Sequence, residues 1–124
     1  MKKRFLFFSL FSCLLLFAAR GEMRDGRADA RAIVEEGEVR FTVLTPRVIR
    51  MEWDSLRQFT DDRSFVVVNR HLPVPDFEKK IKGGKLIIRT DELELTYRLN
   101  SGKFSAENLS IKYKNKNNPF TWNP

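Results

Sequence analysis

Apolar and polar residues alternate along several short stretches of this 124-residue chain. The clearest cases are segments 39–43, 49–53 and 93–97, in which every second residue is apolar. A period of two is typical of β-strands that bury one face. Beyond residue 21, no stretch combines a helical period with helix caps. We therefore predict an all-β protein, an antiparallel β-sandwich built from short strands.

Other segments refine this prediction. Gly83-Gly84 separates two strand-like runs and predicts a tight hairpin, because glycine adopts positive φ without steric cost. Phe65–Val68 is apolar at four consecutive positions, which predicts a short strand buried on both faces. Residues 22–37 are expected to form a flexible lead, and residues 38–124 the sandwich region.

The N-terminus has the three parts of a secretory signal peptide. A basic start is followed by the uncharged segment 5–19, which is shorter than the roughly 18–20 residues of a membrane span. Small residues then precede a cleavage site after Gly21. We therefore expect residues 1–21 to be removed and the protein to be exported to the periplasm, the cell surface or the medium. Cys13 leaves an alternative open, because Leu-Phe-Ser-Cys loosely resembles a lipoprotein signal and lipidation there would anchor the protein.

The basic composition adds little once the signal peptide is set aside. Residues 1–21 contain four of the 23 basic residues and none of the 16 acidic ones. The remaining net charge of about +3 is spread along the chain, whereas nucleic-acid binding favours a clustered basic face. Lys112, Lys114 and Lys116 are expected to be the solvated face of a strand. We expect no nucleic-acid partner.

Most metal sites are excluded by composition. The chain has one histidine, His71, and one cysteine. An intramolecular disulfide, a four-cysteine zinc site and a catalytic metal site built on several histidines all need more of these residues. We expect no metal and no cofactor.

From residue 38 onward the chain carries an ordered series of motifs. They are VRFTVLTPRVIRMEW from Val39, DDRSF from Asp61, VVNR from Val67, LPVPDF from Leu72, SGKF from Ser101 and FTWNP from Phe120. In order and spacing this series resembles the N-terminal region of family 31 glycoside hydrolases, the α-glucosidases and α-xylosidases. The resemblance implies a galactose-mutarotase-like β-sandwich that packs against a (β/α)₈ barrel, with a loop that helps to wall the substrate pocket.

The same resemblance places the catalytic groups elsewhere. In that family two aspartates of the barrel perform the chemistry, and they have no counterpart among these residues. The resemblance therefore implies an exported N-terminal fragment of an α-glycosidase with a structural, substrate-framing role in carbohydrate metabolism and no catalytic residues of its own. Its expected partners are an α-linked oligosaccharide and a C-terminal barrel domain. The alternative is a free-standing secreted module that binds carbohydrate or another component of the cell envelope.

The carboxylates in the sequence do not change this expectation. Glu92 and Glu94 are two residues apart on one predicted strand face, which places them about 6.6–7 Å apart. This distance falls within the range of about 6.5–9.5 Å for inverting glycosidases. It also occurs on any strand with alternating acids, and no pocket for a general acid is predicted around them. Asp61-Asp62 is expected to belong to a turn.

The two tryptophans are candidates for stacking on a sugar. Trp53 shares a strand face with Ile49 and Met51, so we expect it to pack in the core. Trp122 lies in a proline-bounded segment and is the candidate carbohydrate-binding residue. Its alternative role is to pack against the remainder of a longer protein.

Overall fold

The computed structural model describes residues 26–124. The predicted signal peptide and the candidate lipidation site Cys13 lie outside these residues. The described part contains eight strands in two antiparallel sheets and one short 3₁₀ turn, Ala30–Ala32. The predicted all-β, antiparallel class is therefore confirmed. Within residues 26–124, none of the helical structure is long and apolar enough to span a membrane.

The smaller sheet, sheet A, has three strands in sequence order: β1 (Ile33–Glu36), β2 (Val39–Thr45) and β3 (Val48–Trp53). Sheet B has five strands, also in sequence order: β4 (Glu78–Lys82), β5 (Lys85–Arg89), β6 (Leu93–Arg98), β7 (Leu109–Tyr113) and β8 (Phe120–Trp122). Every neighbouring pair is antiparallel. This meander topology needs only local connections along the chain.

Both sheets contribute to one apolar core, as expected for a sandwich. Phe41 of β2 is fully buried, and its ring centroid lies 5.9 Å from that of Tyr97 on β6 and 5.7 Å from that of Phe104. Trp53 packs against this core with half-buried Ile49 and Met51, which confirms its predicted place. The buried apolar side chains of the core are Val34, Val39, Phe41, Val43, Leu86, Ile88, Leu93, Leu95, Tyr97, Leu109 and Ile111.

The hairpin predicted at Gly83-Gly84 joins β4 to β5. Both glycines have positive φ, 57° and 71°. A two-residue turn with positive φ at both central positions matches the right-handed twist of the flanking strands, and glycine adopts it at least cost.

Part of the predicted flexible lead is ordered structure instead. β1 occupies Ile33–Glu36, and Val34 is buried in the core. Further upstream, Gly26 lies so close to the loop after β3 that a Cβ atom would come within 2.3 Å of the Asp61 carbonyl oxygen. The sequence pattern missed β1 because only two of its four residues are apolar.

The predicted buried strand at Phe65–Val68 is wrong for the described structure. These residues form an exposed loop in which Phe65 and Val66 have relative accessibilities of 107% and 92%. Their only backbone–backbone hydrogen bond among the described residues joins the Ser64 amide to the Val67 carbonyl. β-propensity produces a strand only where a neighbouring strand supplies hydrogen bonds and packing, and none lies beside this segment.

The base of this loop is fixed to the outer face of sheet A by a buried arginine. The Arg40 guanidinium donates to both carboxylate oxygens of Glu52 (2.6 and 3.0 Å), to Asp61 Oδ1 (2.9 Å) and to the Thr60 carbonyl oxygen (2.6 Å). It also lies 5.2 Å from the ring centroid of Phe59. Asp61 thus anchors the loop rather than forming the turn that the sequence suggested; the Thr60 hydroxyl accepts from the Asp62 amide instead.

A second buried arginine closes the loop. Arg70 donates to the carbonyl oxygens of Asp62 (2.5 Å) and Thr60 (3.4 Å). Burial, together with the positive charge of Arg50, lowers the pKa of Arg70. For Arg40, burial acts in the same direction, but hydrogen bonds and charge interactions with Glu52 and Asp61 outweigh it and raise its pKa. The loop therefore projects from a base that is held by charge-assisted hydrogen bonds.

The contrast between core and loop valines gives a direct test of this fold. Val43→Ala, in the core, should lower the free energy of unfolding by about 1.5–3 kcal/mol, since it removes fully buried methyl groups. Val66→Ala, at the loop tip, should change it by less than about 0.5 kcal/mol. Urea unfolding of both variants measures the difference. A similar loss in both would mean that Val66 is buried after all.

The role of Arg40 is tested in the same way. Arg40→Met should cost about 3–5 kcal/mol, because it removes the bidentate partner of half-buried Glu52, which then keeps only its ion pair with Arg50, and takes one of the two ion-pair partners of Asp61. The matched control is Arg47→Met, which breaks an exposed ion pair with Glu92 and should cost less than about 1 kcal/mol. Equal costs for the two variants in urea unfolding would contradict a special role for the buried cluster.

Candidate functional site

One end of the sandwich opens into a cleft of ≈ 520 Å³, which we call the β8 cleft. Its size lies within the range of small-molecule sites. The cleft lies where the turn between β2 and β3 meets the turn between β5 and β6, the segment after β7 and the start of β8. The residues that line it are Arg47, Asp91, Glu92, Tyr113, Lys114, Asn115, Lys116 and Phe120.

The aromatic part of the cleft comes from two paired strands. Tyr113 and Phe120 are cross-strand partners, and their rings stack with centroids 4.5 Å apart and planes at 15°. Tyr113 packs against the core on one side, whereas Phe120 is about half exposed. The stack fixes the Phe120 ring and leaves an apolar surface open to solvent.

The polar wall of the cleft is fixed by two links between the sheets and one within sheet B. The Thr90 hydroxyl donates to the Pro46 carbonyl oxygen at 2.6 Å, which ties the two turns together. Arg47 Nη2 donates to Glu92 Oε1 at 3.0 Å, and this hydrogen bond raises the pKa of Arg47. Lys114 Nζ donates to the Thr90 carbonyl oxygen at 2.6 Å. These contacts hold the wall in place without a ligand.

Two charged groups of the wall remain available. Among the described residues, neither Asp91 nor Lys116 has a hydrogen bond or an ion pair with another side chain. A carboxylate accepts hydrogen bonds and an ammonium group donates them. The cleft therefore offers an acceptor and a donor beside an exposed aromatic ring, a combination suited to a ligand with several hydroxyl groups and an apolar face.

The candidate residue Trp122 lies next to the cleft rather than in its lining. It is two residues from Phe120 on the same strand, so both side chains are on the same side of sheet B. Its cross-strand partner is the buried Ile111, yet Trp122 itself is 42% exposed. Trp122 therefore extends the aromatic surface that Phe120 begins.

The structure distinguishes residues that the sequence pattern treated as equivalent, both among the three lysines at 112, 114 and 116 and between Glu92 and Glu94. β7 ends at Tyr113, so only Lys112 lies on the strand, while Lys114 and Lys116 line the cleft. Glu92 also lines the cleft, whereas Glu94 points elsewhere and accepts from Arg89 Nε at 2.6 Å. The structure thus separates the two carboxylates. The sequence did not predict a role for Phe120, because that role depends on the pairing of β8 with β7, which brings Phe120 beside Tyr113.

The described residues contain no group of three or more histidine, cysteine or acidic side chains placed to hold a metal ion. Comparison of the sequence with protein-family models and with curated proteins gives no match.

Proposed function

We propose that this chain is the N-terminal β-sandwich region of an α-glycosidase of the family 31 type, and that the β8 cleft contacts an α-linked oligosaccharide. The observation that carries the proposal is the cleft itself. Phe120 presents an exposed ring on a wall whose unengaged groups, Asp91 and Lys116, can bond to hydroxyl groups. The all-β fold with two antiparallel sheets and the ordered motif series from Val39 to Pro124 support the same assignment.

The proposed role is to frame the sugar rather than to cleave it. Glycosidases need a carboxyl group that holds a proton beside the glycosidic oxygen and a second carboxylate at a defined distance. In the cleft, Glu92 accepts a hydrogen bond from Arg47, and this contact fixes Glu92 in the wall. Asp91 is its remaining carboxylate, and one carboxylate can orient a hydroxyl group but cannot supply both roles.

The projecting loop fits the same proposal. Phe65, Val66 and Val68 are exposed at the tip, and the arginine cluster fixes the base. A pre-formed apolar loop costs little entropy to dock. We propose that it packs against a larger polypeptide, as the family resemblance implies for a loop that walls the substrate pocket.

Sugar binding is tested by titrating the ¹⁵N-labelled chain with an α-1,4-linked glucose trisaccharide. A surface that frames only part of a pocket should bind with a Kd of about 1 mM or weaker. We expect the amide shifts to concentrate at residues 113–122. A β-1,4-linked trisaccharide should cause smaller shifts. Shifts confined to the 64–68 loop, or none at saturation of the sugar's solubility, would refute the proposed cleft.

The aromatic contribution is tested by truncation. Phe120→Ala and Trp122→Ala should each weaken binding of the α-linked trisaccharide several-fold, since they remove the exposed rings. Phe65→Ala is the matched control: Phe65 is a fully exposed phenylalanine outside the cleft, and its removal should leave the affinity unchanged. If Phe65→Ala weakens binding as much as Phe120→Ala, the ligand contacts the loop instead.

A free-standing carbohydrate-binding module is the second candidate, and the same cleft favours it. The two candidates differ in affinity, because an independent module must hold its ligand without help from a barrel. A Kd of about 10 μM for the isolated chain would favour the independent module.

A further inference from the structure

We propose that the outer face of sheet B binds an acidic polysaccharide through a row of three cations, Lys82, Lys85 and Arg98, which we call the basic row. Lys82 on β4 is the cross-strand partner of Lys85 on β5, and Lys85 is the partner of Arg98 on β6. Directly opposite residues share a face, so the three side chains leave the same side of the sheet. The aromatic residues of the β8 cleft lie on the other side, so this inference is independent of the proposed sugar binding there.

The basic row is the exception to the charge pattern of both sheets. Where two charged residues lie directly opposite each other within residues 26–124, five pairs join an acid to a base, whereas the remaining two join like charges and share Lys85. The five pairs of opposite sign are Glu35–Arg40, Arg40–Glu52, Glu78–Arg89, Arg89–Glu94 and Glu94–Lys112. Like charges directly opposite each other destabilise a sheet. The basic row therefore opposes folding, and an anionic partner would relieve its repulsion.

The cations of the row are exposed and available to a partner. In the part of the chain that the structure describes, none of the three makes a side-chain hydrogen bond or an ion pair, whereas Lys80, one outward position along β4, pairs with Glu78 at 2.7 Å. A charge on an edge strand can serve to block strand addition, which accounts for Lys82. Lys85 and Arg98 lie on interior strands, where this explanation does not apply.

A shallow polar groove of ≈ 280 Å³ borders the row at Lys85 and Arg98. Two of its lining residues, Thr96 and Ser110, are cross-strand partners whose hydroxyl groups can donate and accept hydrogen bonds. The single acid among the described lining residues is Glu107, and a hydrogen bond with Ser105 is the main cause of its lowered pKa. Glu107 confines the acidic groups of a ligand to the basic row and leaves the rest of the groove for hydroxyl groups.

The chemistry of this face favours an acidic polysaccharide over other polyanions. The row spans about 10 Å across three strands, which suits a ligand with repeated charges rather than a single ion. A nucleic acid would gain from aromatic side chains that stack on bases, and a membrane would gain from apolar side chains that insert. The outward residues of β5 and β6 are charged or hydroxyl-bearing, apart from half-buried Ile87. Cations beside hydroxyl groups match a sugar chain that carries both carboxylates and hydroxyls.

The test is titration of the ¹⁵N-labelled full chain with a hexamer of α-1,4-linked galacturonic acid. Amide shifts should concentrate at residues 82–87 and 96–98, and raising NaCl from about 0.05 to about 0.5 M should abolish them, because exposed charges are screened by salt. The fully methyl-esterified hexamer keeps the sugar chain without its charges and should bind at least about ten-fold more weakly. Equal binding of the two hexamers, shifts confined to residues 113–122, or no shifts at low salt would overturn the proposal. So would equally tight binding of a single-stranded thymidine oligonucleotide of the same charge.

Charge-removing variants locate the site. Lys85→Gln and Arg98→Gln should each weaken binding of the acidic hexamer by about five-fold. Lys85→Gln should also raise the melting temperature, because it removes two like-charge pairs, so its loss of binding is not a loss of folding. Lys112→Gln is the matched control: it removes the same charge from the same face, but Lys112 lies opposite Glu94 and outside the row, so the affinity should not change. If Lys112→Gln weakens binding as much as Lys85→Gln, the ligand responds to net charge alone and the basic row is not a site.

Discussion

Sheet A has three strands and sheet B has five, and this inequality determines which apolar side chains the fold can bury. The central strands of sheet B lie under sheet A, and their inward residues, such as Leu86, Leu95 and Tyr97, are fully buried. β8 continues the same inward face beyond the cover of sheet A. Phe120 and Trp122 are therefore exposed, although their cross-strand partners Tyr113 and Ile111 contact or belong to the core. The exposed aromatic wall of the cleft arises from this mismatch.

The outer face of sheet A follows a different physical rule from the core. Arg40 is the second residue of β2, a strand whose six other residues are buried or half-buried, and it is itself buried. A buried guanidinium is tolerated only when its donors are satisfied and its charge is compensated. Glu52, Asp61 and the Thr60 carbonyl oxygen meet these needs, and two of them come from the loop after β3. The electrostatic requirement of one strand residue thus fixes the base of a long loop and leaves its apolar tip in solvent.

Much of the fold is readable from the sequence, because it depends on local pattern. The period-two segments became β2, β3 and β6, and Gly83-Gly84 formed the expected hairpin. Trp53 packs on the core because it alternates with Met51 and Ile49. The strand predicted from β-propensity at Phe65–Val68 was wrong, because a strand also needs a neighbouring strand. The local sequence does not indicate which strands will be neighbours. β1 was missed for the opposite reason, since pairing with β2 produces a strand from a sequence with a weak pattern.

The candidate site was less predictable than the fold for the same physical reason. Trp122 could be singled out as an aromatic residue in a proline-bounded segment. Its neighbour Phe120 becomes part of the cleft only because β8 pairs with β7. Lys114 and Lys116 looked like the solvated face of a strand, and the end of β7 at Tyr113 assigns them to the cleft instead. Arg47 and Glu92 are 45 positions apart and meet only because the two sheets align their turns. Local periodicity can predict strands, whereas a site that is assembled from the ends of different strands depends on the relative placement of the sheets.

The chemistry that the cleft can offer a ligand depends on which of its charged groups already pair within the protein. Arg47, Glu92 and Lys114 bond to one another's segments and serve to fix the wall. This leaves a single acid and a single base beside the aromatic ring of Phe120. Groups of opposite sign that do not pair with each other can bond to a neutral ligand from two sides, because one accepts hydrogen bonds and the other donates them. This arrangement supports the proposed recognition of a polyhydroxylated neutral molecule.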